Sequence, residues 1–473
     1  MDNPTQAKKV KEGLVRQLGL FDSTMVMVGI VIGSGIFLTT GIMAKSIPSA
    51  GLILLAWIVG GLLTLAGAMT FAELGAAMPE AGGQYIYLRE AYGPLFGFLF
   101  GWIVFLVYMT GSIAALAVAF AEYFGTFFPS LSTQNVIFST GIPIFHQTFG
   151  YSLSMGQIVA VSAIVLLSTC NYIGLVFGKA IQNIFTVTKI GTIVLFIVLG
   201  FTVGKGVSID FTLHPEGSGF SFGQLIIGFG LALVAVSWAF DGWNNINFVA
   251  GEIKNPKRNL PSALILGTLG ITLLYVLINV IYLYALPIEE MKGVIRIAER
   301  SSAALFGGSA AALISVAVII SVFGSLNGSI LAGPRVYYAM AQDRLFFHRV
   351  AKVHPRFRTP SFAILIQAVW ASVLALSGTF EQIITFVIFV SILFWIAAAA
   401  SVFTLRKKRP DLPRPYKTWG YPVMPVVFII ASSGILLNTL IEKPVESLAG
   451  VGLTVMGIPI YYYWKRKKGS EEI

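Results

Sequence analysis

The sequence contains one cysteine and four histidines, and only 11% of its residues are charged. The lone cysteine, Cys170, can form no intrachain disulfide, and metal clusters built on several cysteines are excluded. His146, His214, His348 and His354 fall in joints between apolar segments without metal-ligand spacing, so neither a metal nor a cofactor is expected. Soluble domains carry about 25% charged residues. No stretch between Met1 and Ile473 is long and charged enough to build a soluble catalytic or nucleic-acid-binding domain. A cleavable secretory pattern is also missing, because the polar start Met1 to Gln17 precedes an apolar segment with no small-residue cleavage site. What is present is apolar: 56% hydrophobic residues and a mean hydropathy of +0.82. Such a chain is a membrane protein whose helices cross the bilayer many times.

Apolar windows of about 20 residues mark spans. Twelve are expected, at Ser23 to Ala44, Leu52 to Met78, Leu95 to Phe124, Ile158 to Gly174, Ile184 to Val203, Gly223 to Ala250, Ala263 to Leu286, Ala311 to Tyr337, Phe362 to Leu376, Ile383 to Leu405, Val423 to Leu440 and Leu448 to Trp464. With the amino terminus placed inside and the sides alternating, only Lys45, Lys205, Lys292, Arg296, Arg300 and Lys443 fall outside, and Lys189 lies within a span. The remaining 25 of the 32 Lys and Arg residues are inside, which makes both termini cytoplasmic. The net charge of +11 therefore reports topology, and no nucleic-acid partner is expected. The longest outside joint, Gly125 to Gln157, has no Lys, Arg or Cys and reads as an extracellular loop with no anchor for a disulfide-linked partner subunit.

Two spans look interrupted. The first carries Gly33-Ser34-Gly35 near mid-membrane, where each glycine weakens a helix by about 1 kcal/mol relative to alanine. The sixth carries Trp238-Ala239-Phe240-Asp241-Gly242-Trp243-Asn244-Asn245 at a corresponding depth. An odd offset of five spans reverses their orientation, as an inverted repeat of five plus five helices requires, leaving two C-terminal spans as additions. Unwound backbone at the midplane offers N–H groups to a carboxylate and carbonyls to an ammonium, the two ends of an α-amino acid. The competing reading is that the glycines only permit close helix packing. Asp241 has two readings as well: an intramembrane carboxylate is functional by default, or neighbouring Trp N–H and amide groups satisfy it. Lys189 lies ten positions after Lys179, about 15 Å along a helix. It either snorkels to the interface or acts inside the bundle. Glu73, Glu122, Glu252 and Asn279 read as structural or interfacial, and Arg406 to Arg409 as a topology anchor.

Gly33-Ser34-Gly35-Ile36-Phe37, Phe240-Asp241-Gly242-Trp243-Asn244, Gly251-Glu252-Ile253-Lys254-Asn255-Pro256 and Phe323-Gly324-Ser325-Leu326-Asn327-Gly328 resemble motifs of the L-amino acid transporter (LAT) branch of the amino acid, polyamine and organocation superfamily. Arg335 to Ala341 and Val353-His354-Pro355 resemble the stretch that follows the eighth span in that family. The resemblance covers nearly the whole chain. It implies an all-α membrane protein of the LeuT type: 12 transmembrane helices in one transporter domain over 1–473. Within it fall a cytoplasmic segment 1–17, repeats at 20–205 and 222–405, added spans at 421–464 and a cytoplasmic tail 465–473. It implies sodium-independent exchange of neutral L-amino acids across a plasma membrane by alternating access, with small ones such as Ala, Ser, Thr and Cys favoured. Val31, Gly33, Ser34 and Gly35 match positions around the substrate carboxylate. Trp238, Ala239 and Asp241 match positions whose carbonyls hold the α-amino group, and Trp238 also matches a gating aromatic. Lys189 matches a lysine that takes the place of a bound sodium ion in related symporters. The alternatives are proton-coupled symport and an exchanger that also accepts cationic amino acids. An enzyme would need a catalytic cluster at one depth and a channel a continuous pore, and the residues suggest neither. The expected partners are amino acid substrates and membrane lipids.

Overall fold

The computed structural model describes residues 14–144, 147–213, 221–377 and 380–470. Lys8, Lys9 and Lys11 of the expected cytoplasmic segment, His146, His214 and the last three residues of the expected tail lie outside the described residues. The first half comprises α1 (Leu20–Val31), α2 (Gly35–Ser46), α3 (Ala50–Ala77), α4 (Gln84–Tyr92), α5 (Pro94–Ile103), α6 (Met109–Phe127), β1 (Val136–Ile144), β2 (Gln147–Ser154), α7 (Met155–Ile173) and α8 (Leu175–Thr202). It is followed by α9 (Phe222–Phe240), α10 (Pro256–Ala285), α11 (Ile288–Met291), α12 (Ile297–Phe306), α13 (Gly308–Ala332) and α14 (Pro334–Gln342). The chain closes with α15 (Ser361–Ser377), α16 (Phe380–Lys408), α17 (Val423–Glu442) and α18 (Pro444–Ser470). Eleven helical stretches among the described residues are long and apolar enough to cross a membrane, while α15, apolar but only 17 residues long, is shorter.

Several helices start where local chemistry dictates. Ser49 accepts a bond from the Leu52 N–H, and Ser154 with Gln157 and Ser221 with Gln224 form capping boxes that satisfy otherwise orphaned N–H groups. The fold is all-helical across its spans, as expected. Within the long joint between α6 and α7, residues 136–144 and 147–154 add an antiparallel hairpin in which Ile144 faces Gln147 and Val136 faces Ser154, with a bulge between Val136 and Phe138. A search for 20-residue apolar windows passes over a segment rich in Val, Ile, Phe and Thr, which favours strands.

At the centre lies α1, packed against α8, α10 and α13, with every residue from Val26 to Gly41 buried. In turn α2 packs on α9, α10 runs along α3, and α17 and α18 lie outside against α3, α5, α9 and α16. The outer faces stay apolar, as Val187, Val194 and Val198 on α8 and Leu365, Val369 and Val373 on α15 illustrate.

The end of the bundle that gathers most Lys and Arg is tied by ion pairs. Arg335 meets Glu252 with two parallel bonds of 2.7 and 2.9 Å, both side chains fully buried, and also donates to the Leu331 carbonyl. Arg406 turns inward and grips buried Glu73 at 2.9 and 2.7 Å, so it holds the fold together rather than serving only as a topology anchor. Arg89 and the Tyr85 hydroxyl share Asp343 at 2.5 and 2.6 Å. Burial, reinforced by the Asp343 carboxylate, pushes the Tyr85 phenol far above its usual range, so it remains a donor. Removing one member of a buried pair strands the other charge, at about 3–5 kcal/mol. Arg335→Ala is expected to lower the melting temperature in detergent sharply. The apolar pair Glu252→Leu/Arg335→Met should recover much of the loss in the same thermal assay.

Candidate functional site

The first span stops being helical at Ile32. The Gly33 N–H bonds to the Val31 carbonyl at 2.7 Å, so the Gly29 carbonyl loses the partner that a continuous helix gives it. Inside a membrane a freed carbonyl needs a new donor, and α8 provides it. Gln182, Thr186 and Lys189 lie four and three residues apart on its buried face. The Lys189 ammonium, 1% exposed, donates to the Gly29 carbonyl at 2.9 Å, Ile32 at 2.7 Å and Ser321 at 2.8 Å, and reaches Ser325 Oγ at 3.0 Å. The Ser325 hydroxyl lies 2.8 Å from both the Gly29 and Ile32 carbonyls. Lys189 thus joins α1, α8 and α13 and ends deep in the bundle, not at an interface. The negative end of the α1 dipole favours a cation there.

The sixth span breaks after Phe240. Gly242 adopts φ +92°, a left-handed conformation that glycine takes without penalty. The chain then continues as a 3₁₀ turn from Asn245 to Glu252. Half-buried Asp241 accepts bonds from the Tyr108 hydroxyl at 3.1 Å and Ser112 Oγ at 3.5 Å. These two hydroxyls, together with the backbone N–H of Gly242, satisfy its carboxylate. Tyr108 ends a π-helical turn, Val104–Tyr108, that interrupts the third span, a feature common at functional sites.

The two breaks touch. A Cβ on Gly35 would lie 2.5 Å from the Ala239 Cα, and one on Gly242 would lie 2.4 Å from Ile30 Cγ2. The buried Tyr275 hydroxyl, on α10, stands 3.0 Å from the Val31 carbonyl and 3.1 Å from that of Ala239, within donating distance of both helix ends. A cavity of about 20 Å³ lies between them, lined by Val31, Gly33, Ser34, Gly35, Trp238 and Asp241 together with Ser112, Leu116 and Ser329. Ala239 is not in this lining; it backs Gly35. The Ser34 hydroxyl is buried with no hydrogen-bond partner among the described residues. At the opening turn of α2 the first N–H groups lack intrahelical acceptors.

The sequence singled out Lys189 but not the stripe it belongs to, although Gln182, Thr186 and Lys189 at helical spacing in an apolar span are a readable signal. Tyr108, Ser112 and Tyr275 carried none, because their partners lie far along the chain.

Discontinuous helices that meet across a small cavity inside a membrane bundle define a secondary carrier. Residues 18–462 match the family described as amino acid permease, and the chain belongs to it. It is 34% identical over 413 residues to the serine/threonine exchanger SteT of Bacillus subtilis, covering 87% of this chain and 88% of that protein. Similarity to the human large neutral amino acids transporter small subunit 2 is 31% over 418 residues, 86% of this chain and 73% of the relative. For the human b(0,+)-type amino acid transporter 1 it is 29% over 462 residues, 96% and 89% respectively.

The contact at Gly35 is with backbone, so a side chain there forces the breaks apart, whereas a Cβ on Gly33 meets only side-chain atoms at 3.3 Å. Gly35→Ala should therefore lose most folded protein in size-exclusion yield and melting temperature, and Gly33→Ala should stay folded.

Proposed function

We propose that the protein is a transporter, not an enzyme, and that it exchanges neutral L-amino acids across a plasma membrane without sodium. The observation that carries this reading is the pair of facing helix breaks with the Lys189 ammonium fixed among the freed carbonyls of α1. In this reading the substrate carboxylate sits at the opening turn of α2, held by the N–H groups near Ser34 and Gly35 with Val31 and Gly33 beside it. The α-amino group meets carbonyls of Trp238, Ala239 and Asp241, and Trp238 closes over the site as its gate. Asp241 is already engaged by two hydroxyls, which favours neutral over cationic side chains. The name of the Bacillus relative, a serine/threonine exchanger, supports exchange and small substrates.

Alternating access would use a LeuT-type arrangement of twelve helices, with repeats over 20–205 and 222–405 and added spans over 421–464. Two facts favour it. The breaks lie five spans apart, and Leu18 at the start of the first span bridges Ile253 at the end of the sixth, so these spans run in opposite directions. The basic end is assigned to the cytoplasm, with both termini. Cys170 lies near that end, on α7, far from the hairpin, so no disulfide-linked subunit is expected.

Lys189 fills with a tethered charge the place where a sodium ion would have to bind, and a second cation beside it is electrostatically unfavourable. In proteoliposomes, uptake of labelled serine or alanine should be strong when vesicles are preloaded with a neutral L-amino acid and weak when they are empty. Replacing sodium by choline should change neither. Equal uptake with and without preloading would refute exchange. Lys189→Ala should remain folded but weaken the apparent affinity on the cytoplasmic side more than on the other, read in inside-out and right-side-out vesicles. Unchanged values on both sides would remove Lys189 from the transport cycle.

A further inference from the structure

A second cavity, about 240 Å³, opens at the basic end, between the turn joining α7 to α8 and the loop that precedes α15. Its walls differ in chemistry. One wall is apolar and faces outward: Ile173, Val176 and Phe177 are 42%, 57% and 61% exposed, and the surface continues along α8 through exposed Ile184 and Val187. The other wall carries Arg356 and Arg358, the only charged residues in the lining, and neither is in an ion pair among the described residues.

The two guanidinium groups sit on a built support. The Thr359 hydroxyl donates to the Tyr172 carbonyl at 2.9 Å, fixing the loop to the end of α7. His354 Nδ1 accepts from the N–H groups of Arg356 and Phe357, and its ring stacks on Phe357 at 4.5 Å, with the Tyr172 edge against both. Arg358 is held at φ +55°, a left-handed conformation that is uncommon for a residue with a side chain. Two positive charges without an ion-pair partner among the described residues, set in a fixed loop with Arg356 over the Phe357 ring and beside an apolar wall that runs into the lipid-facing surface, suit a ligand with an anionic head and hydrocarbon tails.

We propose that this groove binds one anionic phospholipid, its phosphate between Arg356 and Arg358 and its acyl chains along Val176 and Phe177. A free phosphate would leave the apolar wall unused. The orientation given above places the site in the cytoplasmic leaflet, but the lipid's chemistry does not depend on that assignment.

The purified full-length protein in detergent, titrated with phosphatidylglycerol and read by native mass spectrometry, tests the site. Arg356→Gln/Arg358→Gln should retain one lipid fewer, with binding roughly thirtyfold weaker at that site. Lys465→Gln/Arg466→Gln, on the exposed C-terminal helix end, should retain as many as the unsubstituted protein, and phosphatidylcholine retention should be equal in all three. Inorganic phosphate should not displace the lipid. Should the double variant not fold, Arg356→Gln and Phe177→Gln taken singly should each lose the same lipid, one through the head and one through the tails. Undiminished phosphatidylglycerol in the groove variants, an equal loss in Lys465→Gln/Arg466→Gln, or displacement by phosphate would each overturn the proposal.

Discussion

A polypeptide in a bilayer has no water to satisfy its backbone, so every departure from the helix has to be met by another group of the protein. The first span departs from the helix at Ile32, and the structure around it is organised by the donors brought to the freed carbonyls. Moving an ammonium out of water carries a penalty of several kcal/mol. Lys189 offsets it with oxygen acceptors on two other helices and with the C-terminal dipole of α1. These bonds also fix geometry. They seat the end of α1 on α8 and α13, and the Tyr275 hydroxyl then sets the distance between that end and the break in α9. Gly35 and Gly242 permit the close approach this placement demands. A cavity between two broken helices results from meeting backbone requirements one by one.

The parts of this arrangement that depend on local composition were legible in the sequence. Apolar windows located the spans, and glycine clusters beside polar residues located both breaks. Long-range partnerships were not legible. Glu73 and Arg406 lie 333 residues apart, and nothing local distinguishes Arg406 from the surface cations beside it. Arg335, counted with the charges of a cytoplasmic joint, is fully buried against Glu252. The π turn before Met109 follows no pattern in a uniformly apolar stretch, so Tyr108 could not be placed against Asp241. The packing of Gly35 on the Ala239 backbone was not legible either, because the two residues lie about 200 positions apart and only three-dimensional packing brings them together.

Ion pairing divides between the two ends of the molecule. At the basic end the pairs involve residues distant in sequence, including Arg335 with Glu252 and Arg89 with Asp343. At the other end they span ten residues at most: Lys292 with Glu289, Arg296 with Glu299 and Arg300 with Glu290. Exposed local pairs contribute little, so helices are cross-braced chiefly at the basic end, and the opposite rim rests more on apolar contact and on α12.

The outward face of α15 has a consequence for the surrounding bilayer. Gln157, at the opening of α7, donates to the Leu376 carbonyl and so ties the far end of α15 to its neighbour. Leu365, Val369 and Val373 turn the other face outward. No described helix covers these side chains, so acyl chains have to, and the flank of the carrier along α15 is solvated by lipid as directly as a single spanning helix would be.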